Sequence, residues 1–189
     1  ADTLNRLAPG LEALAPTVKS ELGIGLIHRV CGTGDVPLHA GKLAVDDVRR
    51  RLDAYYWPYH NELRDALAGL RERHGTAFHV SCHSMASIGG QATVDAGTAR
   101  SQFDIGDGNG RTADAAFVEC VVETLRGFGY EATVNRHYAG AESIHKHADP
   151  DNGIHSLQIE INRGLYMDED RFVRGARFAE IRGALDRLA

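Results

Sequence analysis

The side chains of this protein best suited to chemistry are its histidines and the acids near them. In HKHADPDNGIHSLQIEI, residues 145 to 161, three histidines (His145, His147 and His155) precede Glu160. Imidazoles could grip a metal ion, and an imidazole beside a carboxylate could move a proton. A zinc site needs at least three protein ligands. His145 and His147 would share one face if their segment is a strand. His155 lies beyond ADPDNG, a turn-like stretch, and reaches them only if the two arms form a hairpin. Solvated loop histidines are the commoner case, so the closing Glu160 carries more weight than the three rings.

Two stretches alternate polar and apolar residues in the same way. In AFHVSCHS, Phe78, Val80 and Cys82 face one side while His79, Ser81 and His83 face the other. In HSLQIEIN, Leu157, Ile159 and Ile161 alternate with Ser156, Gln158 and Glu160. Interior strands of a sheet covered on both faces are apolar on both sides, so these two depart from the pattern together. Two readings are open: the wet face of an antiparallel edge, or a site. The polar residues are those that chemistry uses, and His83 stands near a strand end, where ligand sites of open α/β sheets gather.

FDIGDGNGRTAD, residues 103 to 114, invites a nucleotide-binding reading and fails it. Gly106, Gly108 and Gly110 are spaced GxGxG, Arg111 stands where GxGxxG needs its last glycine, and no GK[ST] follows. Aligning Gly110 with the invariant glycine of an EF-hand loop puts Ile105 and Ala116 at the first and last ligand positions, where carboxylates are required. The stretch reads instead as a turn that positions Asp104 and Arg111.

These residues must be held by ordinary elements. Val45, Val48, Leu52, Tyr55, Tyr59, Leu63, Leu67 and Leu70 step by three or four, a helix pattern in which Pro58 predicts a kink or two abutting helices. Leu4, Leu7, Leu11 and Leu14 have helical spacing broken by Pro9 and Pro16, and residues 31 to 42 read as a loop. Strands are expected over 76–82, 131–135 and 155–161. A helix over 112–128 takes Thr112 as its cap, and a closing helix over 168–188 starts on acidic residues. Strands alternating with helices predict an α/β domain with a mixed, largely parallel sheet flanked by helices.

Composition sets the outer bounds. With 189 residues, 43% hydrophobic and 25% charged, the chain can bury the core of one domain, expected to span residues 1–189. A net charge of −5 argues against a nucleic-acid partner. No apolar run approaches the roughly 20 residues that cross a bilayer, so no membrane partner is expected. Cys31, Cys82 and Cys120 are too few and scattered for a disulfide framework, as expected of reduced thiols in a cytoplasmic protein.

In order along the chain, YYWPYHNEL (55–63), HVSCHSM (79–85), FDIGDGNG (103–110), VNRHYAG (134–140) and HSLQIEINRGLYMDE (155–169) resemble the N-formylglutamate amidohydrolase family. The resemblance implies a zinc-exopeptidase-like (carboxypeptidase-like) α/β hydrolase that cleaves an N-acyl amide from an amino acid. It implies one zinc ion in the complete protein, with His83 as a ligand, and Glu160 as the general base that activates the attacking water. His145 or His147 could replace a missing ligand. The partner implied is a small N-acyl amino acid carrying carboxylates, which arginine binds bidentately. Arg163, inside the matched motif, is the first candidate for that clamp. Arg136, Asn135 and Ser84 follow, then Arg29, Arg100 and Arg111. The family's zinc site also takes a histidine and a carboxylate from an early strand that has no counterpart here. The chain joins the pattern near DTLNR (2–6), as expected of a domain truncated at its amino terminus. Two rivals stand beside the hydrolase: a metal-free relative that binds an acidic small molecule, and a cysteine hydrolase using Cys82 and His83. Adjacent strand residues point to opposite faces, which argues against that last pair.

Overall fold

The computed structural model describes residues 18–188 of the chain, apart from 22, 24, 32–35, 91, 92 and 94. The leucines expected at helical spacing before Pro16, and the DTLNR match, lie outside the described residues. The chain forms two compact units, residues 1–61 with 90–96 and residues 62–89 with 97–189.

In the first unit lie a short helix, α1 (Val18–Glu21), and an isolated antiparallel bridge of Val30 with Pro37. Helix α2 (Val45–Arg51) has Asp46 and Asp47 in its first turn and Arg49, Arg50 and Arg51 in its last, a charge order that complements the helix dipole. Val48 is fully buried among Leu26, Ile27, Leu43 and Leu52. Where a kink or two abutting helices were expected, a π-helical segment, Leu52–Tyr56, separates α2 from α3 (Trp57–His74), a helix that runs on from the first unit into the second. Pro58 has no N–H to continue the α ladder. The wider turn absorbs that loss: the Trp57 N–H donates to Leu52 O, five residues back.

The second unit is built on a four-stranded sheet of β1 (Ala77–Met85), β2 (Phe103–Gly106), β3 (Ala132–Val134) and β4 (Ile154–Asn162). Their spatial order is β1-β4-β2-β3, with β1/β4 and β2/β3 parallel and β4/β2 antiparallel. The sheet is thus mixed and mostly parallel, as expected. One face carries the core: Phe103, Ile105, Ala132, Leu157, Ile159 and Ile161 pack beneath α4 (Ala115–Gly127) and α6 (Phe178–Leu188). In α4, Val118, Val121, Val122 and Leu125 recur at three- and four-residue steps and are all buried. A shorter helix, α5 (Glu142–His147), contacts β4 and β1.

Two boundaries differ from expectation. Helix α4 starts at Ala115, not at a Thr112 cap; Asp114 before it is extended, with φ −62° and ψ 140°. Thr112 ties into β4 instead, its carbonyl accepting the Ser156 N–H at 2.7 Å. The acidic run read as the start of the closing helix forms a hairpin, β5 (Met167–Asp168) with β6 (Val173–Arg174). Asp168 Oδ1 accepts the N–H groups of Asp170 and Arg171 at 3.1 and 3.0 Å, and Phe172 takes φ 55°. An aspartate bonding the backbone just ahead of it favours a turn over a helix.

Candidate active site

The two alternating strands are neighbours in register. His79 pairs with Ser156, Ser81 with Gln158 and His83 with Glu160, so six polar side chains share one face. Strand β2 extends that face, with Asp104 opposite Glu160 and Gly106 opposite Gln158. The reading of one strand's wet antiparallel edge does not hold: β4 is interior, and Ser156, Gln158 and Glu160 are all buried.

Because β1 and β4 are parallel, His83 and Glu160 meet near the carboxyl ends of both strands. His83 Nδ1 stands 3.8 Å from Glu160 Oε1, with the imidazole partly open to solvent and the carboxylate 5% exposed. Gln158 Nε2 donates to Glu160 Oε1 at 2.7 Å. A buried carboxylate is tolerated only with hydrogen-bond partners, and Gln158 is one. At the other end of the face, His79 Nδ1 lies 2.6 Å from Ser156 Oγ. Burial pushes the His79 imidazole below its ordinary pKa, and the nearby His147 pushes it further.

Asp104, fully buried, organises the loop that covers this face. Its Oδ1 accepts from Thr133 Oγ1 at 2.8 Å and Arg136 N–H at 3.2 Å. Its Oδ2 accepts from His137 N–H at 2.7 Å and Tyr138 N–H at 2.9 Å. The loop then crosses so close to β2 that a Cβ on Gly106 would sit 2.7 Å from Gly140 N and 2.8 Å from Ala139 C. Beyond it, the Ala141 N–H donates to Gln158 Oε1 at 2.9 Å and Ser143 Oγ lies 3.3 Å from Ser81 Oγ. The turn at 107–112 is closed by Asp107, which accepts from Gly110 N–H at 2.8 Å.

The sequence singled out several residues that the structure does not bring to His83 and Glu160. His145 and His147 lie on a helix rather than a strand, two positions and hence about 200° apart. The helix forms because Ala141 O accepts the His145 N–H and Ile144 is buried. His145 packs at Gly108, where a Cβ would meet its Cε1 at 3.0 Å. His155 is in β4 on the apolar face, stacked on Phe78 and accepting the Asp114 N–H at Nδ1. None of the three is a loop histidine. Ser84, next to His83, points to the opposite face by strand alternation.

Asn135 takes φ 51° and clamps Asp107, accepting its N–H at 3.1 Å and donating to its Oδ1 at 2.7 Å. Arg136 reaches Glu131 at 3.6 Å, and Arg111 Nε donates to Gly108 O at 2.7 Å. Arg29 is in the first unit, where Nη2 donates to Ser20 O at 3.4 Å. Arg100 is buried, its guanidinium 5.1 Å from the Tyr138 ring centre and within 3.5 Å of Ala86 O. Arg163 begins the 3₁₀ turn directly after β4, and its Nε is buried with no hydrogen-bond partner among the described residues.

Three further features bear on chemistry. Cys82 faces away from His83, and burial raises its thiol pKa, the wrong direction for a nucleophile. Among the described residues, no three His, Cys, Asp or Glu side chains converge as a metal site. His83 and Glu160 are thus two side chains of kinds that zinc accepts, fewer than the three protein ligands a zinc site needs. The sequence reading gave Gln158 no role, although it lies two residues before Glu160 on the same face, where alternation could have flagged it.

Comparison with known proteins shows the family. The N-formylglutamate amidohydrolase family model matches residues 4–167. The chain is 28% identical to an N-formylglutamate deformylase of Pseudomonas putida over 134 residues, covering 66% of this chain and 46% of that protein. It is also 28% identical to one of Pseudomonas aeruginosa, covering 74% of this chain and 52% of that protein. It thus spans about half the length of these curated relatives. The crystal structure of N-formylglutamate amidohydrolase from Ralstonia eutropha superposes with a TM-score of 0.84 at 34% identity, covering 96% of this chain and 65% of that one. A protein of Agrobacterium tumefaciens shares the fold with a TM-score of 0.56 at 22% identity, over 77% of this chain and 53% of that one. The chain belongs to the N-formylglutamate amidohydrolase family.

Proposed function

We propose that this chain carries the amide-hydrolysing centre of an enzyme acting on an N-acyl amino acid of the N-formylglutamate kind. The observation that carries the reading is the buried Glu160, held by Gln158 and faced by His83 at the carboxyl ends of two parallel strands. Glu160 acts as general base, taking a proton from water as the water oxygen bonds to the acyl carbon. The C–N bond then breaks, and the proton passes from Glu160 to the leaving nitrogen. The products are a carboxylic acid and a free amino acid. Arg163, with its buried unpaired Nε beside the end of β4, is the proposed clamp for a substrate carboxylate.

His83 is proposed as one ligand of a zinc ion in a zinc-exopeptidase-like sheet. Among the described residues no zinc site is complete, and the proton transfers to and from Glu160 involve this chain's own side chains. Hydrolysis of N-formyl-L-glutamate, followed by formate release, tests the reading. Glu160→Gln should lower the rate about 10²- to 10⁴-fold, the usual contribution of a general base. A rate unchanged by that substitution sinks the assignment. Zinc content by mass spectrometry tests His83: one zinc per chain, lost in His83→Ala, supports a ligand role, and zinc retained in the variant removes it.

A further inference from the structure

We infer that Gln158 is a positioning residue that couples the loop over the polar face to the base, fixing the rotation of the Glu160 carboxylate. The inference rests on the proposal that Glu160 is that base. Gln158 is 2% exposed and its amide has only one workable orientation. The Ala141 N–H is a donor and must meet the amide oxygen, at 2.9 Å. The NH₂ group is thereby turned onto Glu160 Oε1, at 2.7 Å. His83 Nδ1 faces the same oxygen from 3.8 Å, beyond hydrogen-bond range, so the Gln158 amide is the group that bonds it.

The anchor of this brace is itself rigid. Asp104 binds three consecutive N–H groups of the loop, at Arg136, His137 and Tyr138. Gly106 lets the loop backbone lie against β2, and Ile144, fully buried, closes on Gly140, where a Cβ would come within 2.1 Å of its Cδ1. The path runs from Asp104 through the 136–141 backbone and the Gln158 amide to Glu160. Each link is a hydrogen bond or a backbone segment with little freedom to shift. A general base must stay within hydrogen-bond reach of the water it activates, and small misplacements cost rate.

Two variants separate the hydrogen bonds from simple filling of space. Gln158→Leu keeps most of the volume and removes both bonds. Gln158→Met keeps the length of the side chain and likewise has neither the amide oxygen nor an N–H for Glu160. Both should lower kcat for N-formyl-L-glutamate about 10- to 100-fold, as loss of a group orienting a reacting side chain typically does. KM should stay within about twofold, since substrate contacts are untouched. A kcat unchanged in Gln158→Leu, or a loss carried wholly by KM, overturns the inference.

Amide NMR of the intact chain gives a readout independent of turnover. One glutamine side-chain N–H should resonate downfield and exchange slowly, vanish in Gln158→Leu, and move upfield in Glu160→Ala. A Gln158 N–H that exchanges freely and ignores Glu160→Ala also overturns the brace. If instead Glu160→Gln leaves hydrolysis intact, or the chain hydrolyses no N-acyl amino acid, the assignment of the base has failed. In those cases the NMR result still decides whether Gln158 holds Glu160.

Discussion

The two faces of β4 are almost equally buried and are held by opposite means. On one, Leu157, Ile159 and Ile161 pack under α4 and α6. On the other, Ser156, Gln158, Glu160 and Asn162 each meet a polar partner: His79, the Ala141 N–H, the Gln158 amide, and the carbonyls of Arg100 and Ser101. Apolar burial is non-directional and tolerates adjustment, whereas a buried polar group must find its partner in a set geometry. The first face therefore governs stability, and the second governs where each reactive atom stands. Strand β1 sharpens the contrast. Its Phe78 and Val80, on the core side, are 52% and 40% exposed, although the Phe78 ring lies 4.8 Å from that of Phe117 in α4. The polar face is where the two strands bring potentially reactive side chains together.

This comparison can be broken from either side. The largest effect on stability is expected in the apolar layer. Leu125→Ala removes a fully buried side chain and should cost about 2–5 kcal/mol. Denaturant unfolding measures that cost, while the rate per folded molecule should be unchanged; a large rate loss would show that the two faces are not separable.

Next comes Asp104→Asn. Each Asp104 oxygen accepts at least one backbone N–H, so the new NH₂ group must oppose one or two of them. A cost of about 1–3 kcal/mol is expected. Here a fall in turnover should accompany it, because the loop that holds Gln158 shifts. Stability lost with turnover intact would uncouple the loop from the site.

A smaller effect is expected from pH. His79 is held below its ordinary value of 6.5 by burial first and by His147 second. The unfolded chain then binds the proton more readily, so the stabilising contribution is present above that value and fades as pH falls through the folded one. The stability of the wild type relative to His79→Asn should decline as pH falls from neutral to below the ordinary value of 6.5. A difference that stays flat across that range argues against a buried neutral His79.

The smallest effect is expected at Cys82, which lies on the face away from Glu160. Cys82→Ala should leave hydrolysis within about twofold of wild type, as for residues outside the reacting geometry. Loss of activity there would reopen a thiol mechanism.

The polar faces of β1 and β4 were legible because side chains on a strand alternate with period two, whatever surrounds them. The interruption of the α-helix before Pro58 was legible for an equally local reason, the missing N–H. The HKH stretch misled because alternating polar residues over a few positions fit a strand as well as a short helix. The burial of Ile144 and the Ala141 carbonyl decided for the helix. The acidic run at 168–170 misled because favourable dipole charge and turn-forming aspartate side chains use the same residue type.

The sequence by itself determined which residues could face one another: His79, Ser81 and His83 on one strand, Ser156, Gln158 and Glu160 on another. It also settled the family, since ordered motifs persist along the chain. Only the tertiary structure decided that these strands are parallel neighbours with His83 beside Glu160. It likewise decided that Asp104 fastens a loop over them, and that His145, His147 and His155 go elsewhere. Alternation is a property of one strand's backbone. Pairing, register and the partners of buried polar groups depend on segments far apart in the chain, and local pattern carries no record of which of them meet.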